Sequence, residues 1–324
     1  MKAPLGVLAV GTLLGVLSAI LPSLRLTTAT ADSGTPPFVN WATLLPSLTN
    51  TYQPNSANQC VAGLPGCVDS TIAEMQRRFD PLAATCDHNA VFSLAYLRTT
   101  QTYRWARDQS GFFNDTPWVN HEDAVFAKYY FQAFDNYQAG NVDAAPPAWK
   151  IAFDAAATHQ ATAAGDLLLG MSAHVNRDLP FVLAAIGITT PTGATRKPDH
   201  DKVNQFLNAV VQPLLAEIAA RFDPSATALQ TPYGIGYTAL FQLLEAWREQ
   251  AWRNAELLTD APDALTRSIV AQQIEATAAT EAQTLLIANS YVPLVQSSAD
   301  RDACCAAHFN DPAPLPYPFG SATP

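Results

Sequence analysis

The chain has 324 residues, 48% of them hydrophobic, and a formal net charge of −10 at neutral pH. Phosphate backbones and anionic membrane surfaces repel an acidic chain, so the charge argues against nucleic-acid binding and against electrostatic membrane attachment. The apolar content is sufficient for the packed core of one large domain.

The first residues have the pattern of a secretory signal peptide. Lys2 precedes an uncharged apolar run over residues 5–21, and Ala29-Thr30-Ala31 supplies small residues before a cleavage point. This predicts a signal peptide over 1–31 and a secreted or cell-envelope protein. An uncleaved membrane anchor is the alternative, because the run is just long enough to span a bilayer. No later segment is apolar enough for a stable transmembrane span after signal cleavage.

Five cysteines follow the predicted cleavage point. Cys60 and Cys67 flank a Gly/Pro turn, which suits a local disulfide in an exported chain. Cys304 and Cys305 are neighbours, and a bond between neighbours is strained, so at least one should reach elsewhere, with Cys86 as the candidate. One thiol is left over. Because no C-x-x-C pair exists, a cysteine zinc site is disfavoured.

The first half of the chain begins with an arm and continues into helices. Residues 32–67 are rich in Ser, Thr, Pro and Asn, which predicts an extended arm. A first helix is expected from about Asp69, where Thr71 and Glu74 form a capping-box pattern. Helical spacing of apolar residues predicts a second helix over 89–107 and a third from near His121.

The second half is predicted to be helical up to about residue 298. A short helix is expected over 149–159 and a buried helix over 161–175, where nearly every position is apolar. Pro180 is expected to end or kink the buried helix. Further helices are expected at about 201–222, 236–259 and 263–290, before a Cys-containing, Pro-rich tail over 299–324. Because good strand candidates are absent, the sequence predicts an all-α fold, with a single bundle of seven to nine helices over 68–298.

Residues 170–180 carry the clearest candidate chemistry, because they place His, Asn, Arg and Asp in the most apolar helix. Burying such groups costs several kcal/mol unless they are paired or bind something. His174 and Asp178 are four residues apart and share a helix face, which is a workable half of a metal site. The structural alternative is that Arg177 neutralises Asp178 and that His174 is a satisfied core histidine.

Residues 170–180 resemble the G-M-N-A-H-I-N-x-D-L-P motif of a bacterial family of unknown function, with Ser172 where that family usually has Asn. Looser likenesses surround Asp87, Asp123 and Asn204, and together they cover about 70–260. The resemblance supplies no activity. It implies that six residues belong to one constellation: Asp87, Asp123, His174, Asn176, Asp178 and Asn204.

A weaker resemblance links the H-x-x-x-D spacing to one segment of helical zinc phospholipase C and single-strand nucleases. Those proteins surround the pair with further His and acidic ligands, whereas here the next histidine after Asp178 is His200.

Purely structural roles are an alternative for the candidate residues at the helix starts. Asp87 and Asp123 can act as helix caps, and His88 and His121 can be solvated at the same helix starts.

Three functions fit these residues. The first is a metal-dependent hydrolase of ester or phosphoester bonds, with zinc or magnesium on Asp87, Asp123, His174 and Asp178. In that hypothesis His174, Asp178 and Asn176 act in catalysis, and Tyr96, Tyr130 and Asn204 bind the substrate. The second is a non-catalytic secreted or cell-envelope binding protein with a buried polar network. The third is a helical pocket for a small-molecule or lipid ligand, such as an isoprenoid, lined by Phe126, Tyr130, Phe134 and Trp252.

Overall fold

The computed structural model describes residues 51–229 and 235–322, without the side chains of 227–229 and 235–237. The predicted signal peptide and most of the predicted arm lie outside these residues. The described chain is built from helices: α1 (Pro65–Ala84), α2 (Ala90–Arg107), α3 (Thr116–Gln138), α4 (Pro147–Ala157), α5 (Ala163–Ser172), α6 (Leu179–Ile186), α7 (Lys197–Arg221), α8 (Ile235–Asp260), α9 (Ala264–Asn289) and α10 (Ala299–His308).

A π-helical turn (Ala173–Asp178) joins α5 to α6 without a break, so the described residues form nine helical rods. They contain no strand, only isolated bridges. The all-α expectation is therefore confirmed. None of the described helices is both long and apolar enough to cross a membrane.

Two helices begin earlier than the sequence pattern suggested. α1 starts at Pro65. Proline is tolerated in the first turn of a helix because a backbone N–H there has no hydrogen-bond partner within the helix, so its absence costs nothing. Thr71 therefore lies inside the helix, where its hydroxyl donates to the carbonyl of Cys67 at 3.0 Å instead of capping. α3 starts at Thr116, because Asp115 caps it by accepting from the backbone N–H of Trp118 at 3.3 Å.

Of the two outcomes expected at Pro180, an end or a kink of the helix, the end does not occur. Pro180 lies in the first turn of α6, where the backbone remains helical. The π-helical turn directly before it has the longer i→i+5 hydrogen-bond spacing, at the point where proline can supply no backbone N–H donor. The result is one continuous rod that carries His174 and Asp178 through the middle of the protein. Helices α2, α3, α4, α8 and α9 pack around this rod.

Two disulfides form, Cys60–Cys67 and Cys86–Cys305, and Cys304 is the free thiol. This confirms the expected local pair and the long-range partner of Cys86. The second bond ties α10, which lies in the predicted tail, to the segment just before α2. Two disulfides fit an extracellular protein.

A buried ion cluster joins the C-terminal segment to the core. Glu217 is fully buried and accepts from Arg98 at 2.8 and 2.9 Å and from Arg221 at 2.6 Å. The hydroxyl of Tyr317 donates to the same carboxylate at 2.7 Å. The carboxylate thus partly neutralises the buried guanidinium groups of Arg98 in α2 and Arg221 in α7. Tyr317, near the end of the described chain, supplies its remaining hydrogen-bond donor.

Candidate functional site

A mostly apolar cavity lies between α2, α3, the central rod, α7 and α8. Its volume is about 140 Å³. That is roughly ten times the space needed to hold one water. Valine, leucine and phenylalanine side chains of α7 form much of its wall: Val203, Phe206, Leu207, Val210, Val211 and Leu214.

His174 lines the cavity from the π-helical turn and is held from two directions. The ring of Phe126 stacks on the imidazole with centroids 3.4 Å apart and planes 3° from parallel. At the edge of the ring, Nδ1 lies 3.0 Å from Oδ2 of Asp178. Burial lowers the pKa of His174, so the imidazole is neutral at neutral pH. The proton then lies on Nδ1, and Nε2 carries a lone pair.

Asp178 is fully buried and surrounded by donors. The indole N–H of Trp149 donates to Oδ2 at 2.8 Å, and Arg177 donates to Oδ1 at 2.9 Å. Arg177 also donates to Glu275 of α9 at 2.6 Å, which balances its charge. Together with His174, three side chains therefore bind this carboxylate. Such a carboxylate orients the imidazole and fixes its tautomer.

Two acidic side chains from α3 face the same cavity. Burial, together with the nearby charge of Glu122, raises the pKa of Asp123 to about 8. Burial raises the pKa of Glu122 to about 7, although the guanidinium of Arg248 opposes this. At neutral pH, Asp123 is thus mostly protonated and can donate a hydrogen bond.

Half of the orphaned polar atoms are at this cavity. Ten buried side-chain N and O atoms of the described residues have no hydrogen-bond partner, and five belong to residues that line the cavity. These five are Tyr96 Oη, Thr100 Oγ1, Glu122 Oε2, Asp123 Oδ2 and His174 Nε2. Each such atom costs about 1–3 kcal/mol when left unpaired, so their grouping indicates a place where a ligand supplies partners.

The structure brings some of the predicted site residues together and separates others. Tyr96, Asp123 and His174 line the cavity, and Asp178 lies directly behind His174. Asn204 accepts from Arg248 at 2.7 Å and so holds a side chain that lines it.

The remaining predicted residues point elsewhere. Asp87 accepts from the backbone and side-chain amides of Asn89 at the start of α2 and does not line the cavity. The side-chain amide of Asn176 donates to Glu281 of α9 at 2.9 Å. Tyr130 lies against Trp149 and lines a second, smaller cavity.

The group of side chains best placed to bind a metal ion lies away from the cavity. Within the described residues, one group of three His and Asp side chains is close enough to hold an ion: His88, His159 and Asp302. The predicted set of Asp87, Asp123, His174 and Asp178 does not form such a group. His88, for which a solvated position was one alternative, is only 2% exposed.

Sequence reasoning did not single out Glu122, Thr100 or Arg248 as site residues. Glu122 directly precedes Asp123, so the acidic pair in the sequence was the available sign. Arg248 comes from α8 and reaches the cavity through the packing of α8 on α7, which no local spacing reveals.

The model of a protein family described as "Family of unknown function (DUF5995)" matches residues 68–288. No curated protein and no solved structure matches the chain. The family match agrees with the expected resemblance to an uncharacterised family, and its range includes the 170–180 motif and all of the cavity-lining residues.

Proposed function

The chain belongs to this family of unknown function, and we propose that it binds a small molecule with an apolar body and one polar end in the cavity around His174. The observation that carries the proposal is that five unpartnered polar atoms belong to residues that line an otherwise apolar cavity. Ligand sites typically combine apolar walls with a few polar groups that fix orientation.

The protonation states favour an uncharged polar end on the ligand. The hydroxyl of Tyr96 stays protonated, because burial raises its pKa well above the ordinary value, and Asp123 is mostly protonated as well. These two groups are donors, whereas Nε2 of His174 is an acceptor. An alcohol both accepts and donates, so a lipid or isoprenoid alcohol matches the set. The two disulfides support a secreted or cell-envelope location for this binding.

Titration with 1-octanol, followed by calorimetry and by the shift in Tm, tests the proposal. Leu214→Phe fills the cavity and should abolish binding, whereas Leu257→Phe, the same change at an exposed leucine of α8, should leave it intact. Tyr96→Phe removes one hydroxyl and should weaken binding several-fold, since a hydrogen bond contributes about 1 kcal/mol. Equal binding by wild type and Leu214→Phe, or no binding at all, would refute the proposal.

A second candidate is ester hydrolysis in the same cavity, favoured by the contact between His174 and Asp178. A neutral imidazole oriented by a carboxylate can act as a general base toward water. The metal-dependent form of this hypothesis, with zinc or magnesium, has less support. Asp178 already accepts from three side chains, and Asp87 accepts from Asn89.

Turnover of 4-nitrophenyl octanoate separates these possibilities. Catalysis by the imidazole predicts that His174→Ala abolishes turnover, that Asp178→Asn lowers it at least about 100-fold, and that EDTA has no effect. Loss of turnover with EDTA would favour the metal-dependent form. Octanol binding without turnover would leave a non-catalytic binding protein, which is the remaining sequence-based alternative.

A further inference from the structure

A second polar cluster, apart from the cavity, combines two histidines and an aspartate from three segments. His88 precedes α2, His159 follows α4, and Asp302 lies in the first turn of α10. One candidate ligand atom from each residue lies within 4.8 Å of the other two. The imidazole rings stack with centroids 3.9 Å apart. The Cys86–Cys305 disulfide links the segment of His88 to α10, so it holds His88 and Asp302 near each other.

The ligand atoms lie within reach of one shared ion once the two imidazole rings turn out of their stack. Nε2 of His88 lies 2.9 Å from Oδ1 of Asp302, and Nδ1 of His159 lies 3.4 Å from Oδ2 of the same residue. Ligand atoms bound tetrahedrally to zinc at about 2.0–2.1 Å are roughly 3.4 Å apart. The two measured pairs use different oxygen atoms of Asp302, so binding one ion requires the carboxylate and the stacked rings to turn toward it.

Two orphaned atoms behind His88 suggest how the cluster changes when an ion binds. Nδ1 of His88 and Oδ1 of Asp166 are buried, and neither has a hydrogen-bond partner among the described residues. Nδ1 lies 3.7 Å from Oδ2 of Asp166. While Nε2 donates to Asp302, Nδ1 carries a lone pair and faces a carboxylate. With Nε2 bound to an ion, the proton moves to Nδ1 and points toward Asp166, which is the usual carboxylate–histidine–metal arrangement.

The backbone at His159 adds an independent observation. His159 has a φ of +53° just after the end of α4, at a position where glycine is the usual residue. A side chain costs about 1–2 kcal/mol in this left-handed region. The histidine ring there points to Asp302 and stacks on His88. Strain of this kind is commonly kept where the side chain has a role.

We propose that His88, His159 and Asp302 bind a divalent transition-metal ion, with zinc the best match, and leave one coordination position open to solvent. Two imidazoles and one carboxylate form a ligand set that zinc accepts and that magnesium and calcium disfavour. His159 is exposed, so a water or an external ligand can reach the fourth position. This site is separate from the cavity around His174, and its test does not depend on octanol binding.

The experiment is calorimetric titration of the mature, untagged protein with ZnCl2, in a Cys304→Ser background that removes the free thiol as a competing ligand. The expected result is one ion per chain with a dissociation constant of about 1 µM or lower. His159→Ala should weaken binding at least tenfold. His159 is 47% exposed, so this variant should fold, which circular dichroism without metal verifies.

His308→Ala is the matched control, because His308 is 51% exposed at the end of α10 and contacts Asp311 instead of the cluster. Its zinc affinity should equal that of the parent. Co2+ in place of zinc should give the strong visible absorption of tetrahedral coordination, and His159→Ala should lose it. The proposal is overturned if the parent binds no zinc, or if His159→Ala and His308→Ala bind it equally well.

Discussion

Replacing Asp123 by Asn is expected to stabilise the protein against unfolding, by an amount that grows with pH. The carboxyl group faces the cavity, and its Oδ2 atom is buried without a hydrogen-bond partner among the described residues. Ionising it there requires a charge in an apolar environment close to Glu122. Asparagine has nearly the same shape and never ionises, so the variant lacks this unfavourable charge.

The magnitude follows from the difference in proton binding between the folded and unfolded states. The ordinary pKa of an Asp is 3.8, whereas the pKa of Asp123 in the folded protein is raised to about 8. Between these values the folded state holds the proton more tightly. The free energy of unfolding of the wild type therefore falls by up to about 1.4 kcal/mol per pH unit. From pH ~4 to pH ~7 the loss sums to roughly 4 kcal/mol as an upper limit.

Urea unfolding of wild type and Asp123→Asn at several pH values measures this difference. The two proteins should have similar stability near pH ~4, and the variant should gain steadily up to pH ~8. Asp143→Asn, at an exposed position in the turn Val142–Ala144, controls for the general effect of removing one acid. A stability difference between Asp123→Asn and wild type that stays constant with pH would refute a buried carboxyl with a raised pKa.

Four further changes test the disulfides, the buried ion cluster and the packing beside the cavity. Loss of Cys86–Cys305, which closes a loop with a sequence separation of 219, should lower the free energy of unfolding by about 5 kcal/mol. Loss of Cys60–Cys67, with a separation of 7, should lower it by about 2 kcal/mol. Urea unfolding of the serine variants checks that the longer loop costs more. Glu217→Gln leaves two buried guanidinium groups without their carboxylate and should cost about 3–5 kcal/mol in the same assay. Gly170→Ala forces a methyl group into the ring of Phe92, and should cost about 1–3 kcal/mol in thermal unfolding and weaken octanol binding.

Most of the helices were predictable because they bury apolar side chains at helical spacing, whereas α10, which buries only Arg301 and Cys305, was predicted as part of the tail. The expected 89–107 and the observed Ala90–Arg107 differ by one residue. Errors arose where a local pattern competes with tertiary structure. The capping-box pattern at Thr71 occurs inside α1, since the short disulfide and Pro65 already start the helix earlier. At Pro180 the π-helical turn absorbs the missing donor, which the sequence does not reveal.

The candidate site was predictable only where its contacts are local. The contact between His174 and Asp178 follows from their spacing of four on one helix. Asp87 was grouped with them by resemblance, yet its carboxylate accepts from Asn89 in its own turn. His88 and Asp302 are separated by 214 residues, so no periodicity or motif spacing could connect them.

The C-terminal segment has a consequence for how far the folding unit extends. The family match ends at residue 288, whereas Arg301, Cys305 and Tyr317 lie beyond it and have buried partners in the helical core. A protein cut after the matched region would leave Asp166 and Glu217 without part of their donors and Cys86 without its partner. Boundaries drawn from the family match alone would therefore yield an unstable fragment, and the intact domain includes the sequence through at least Tyr317.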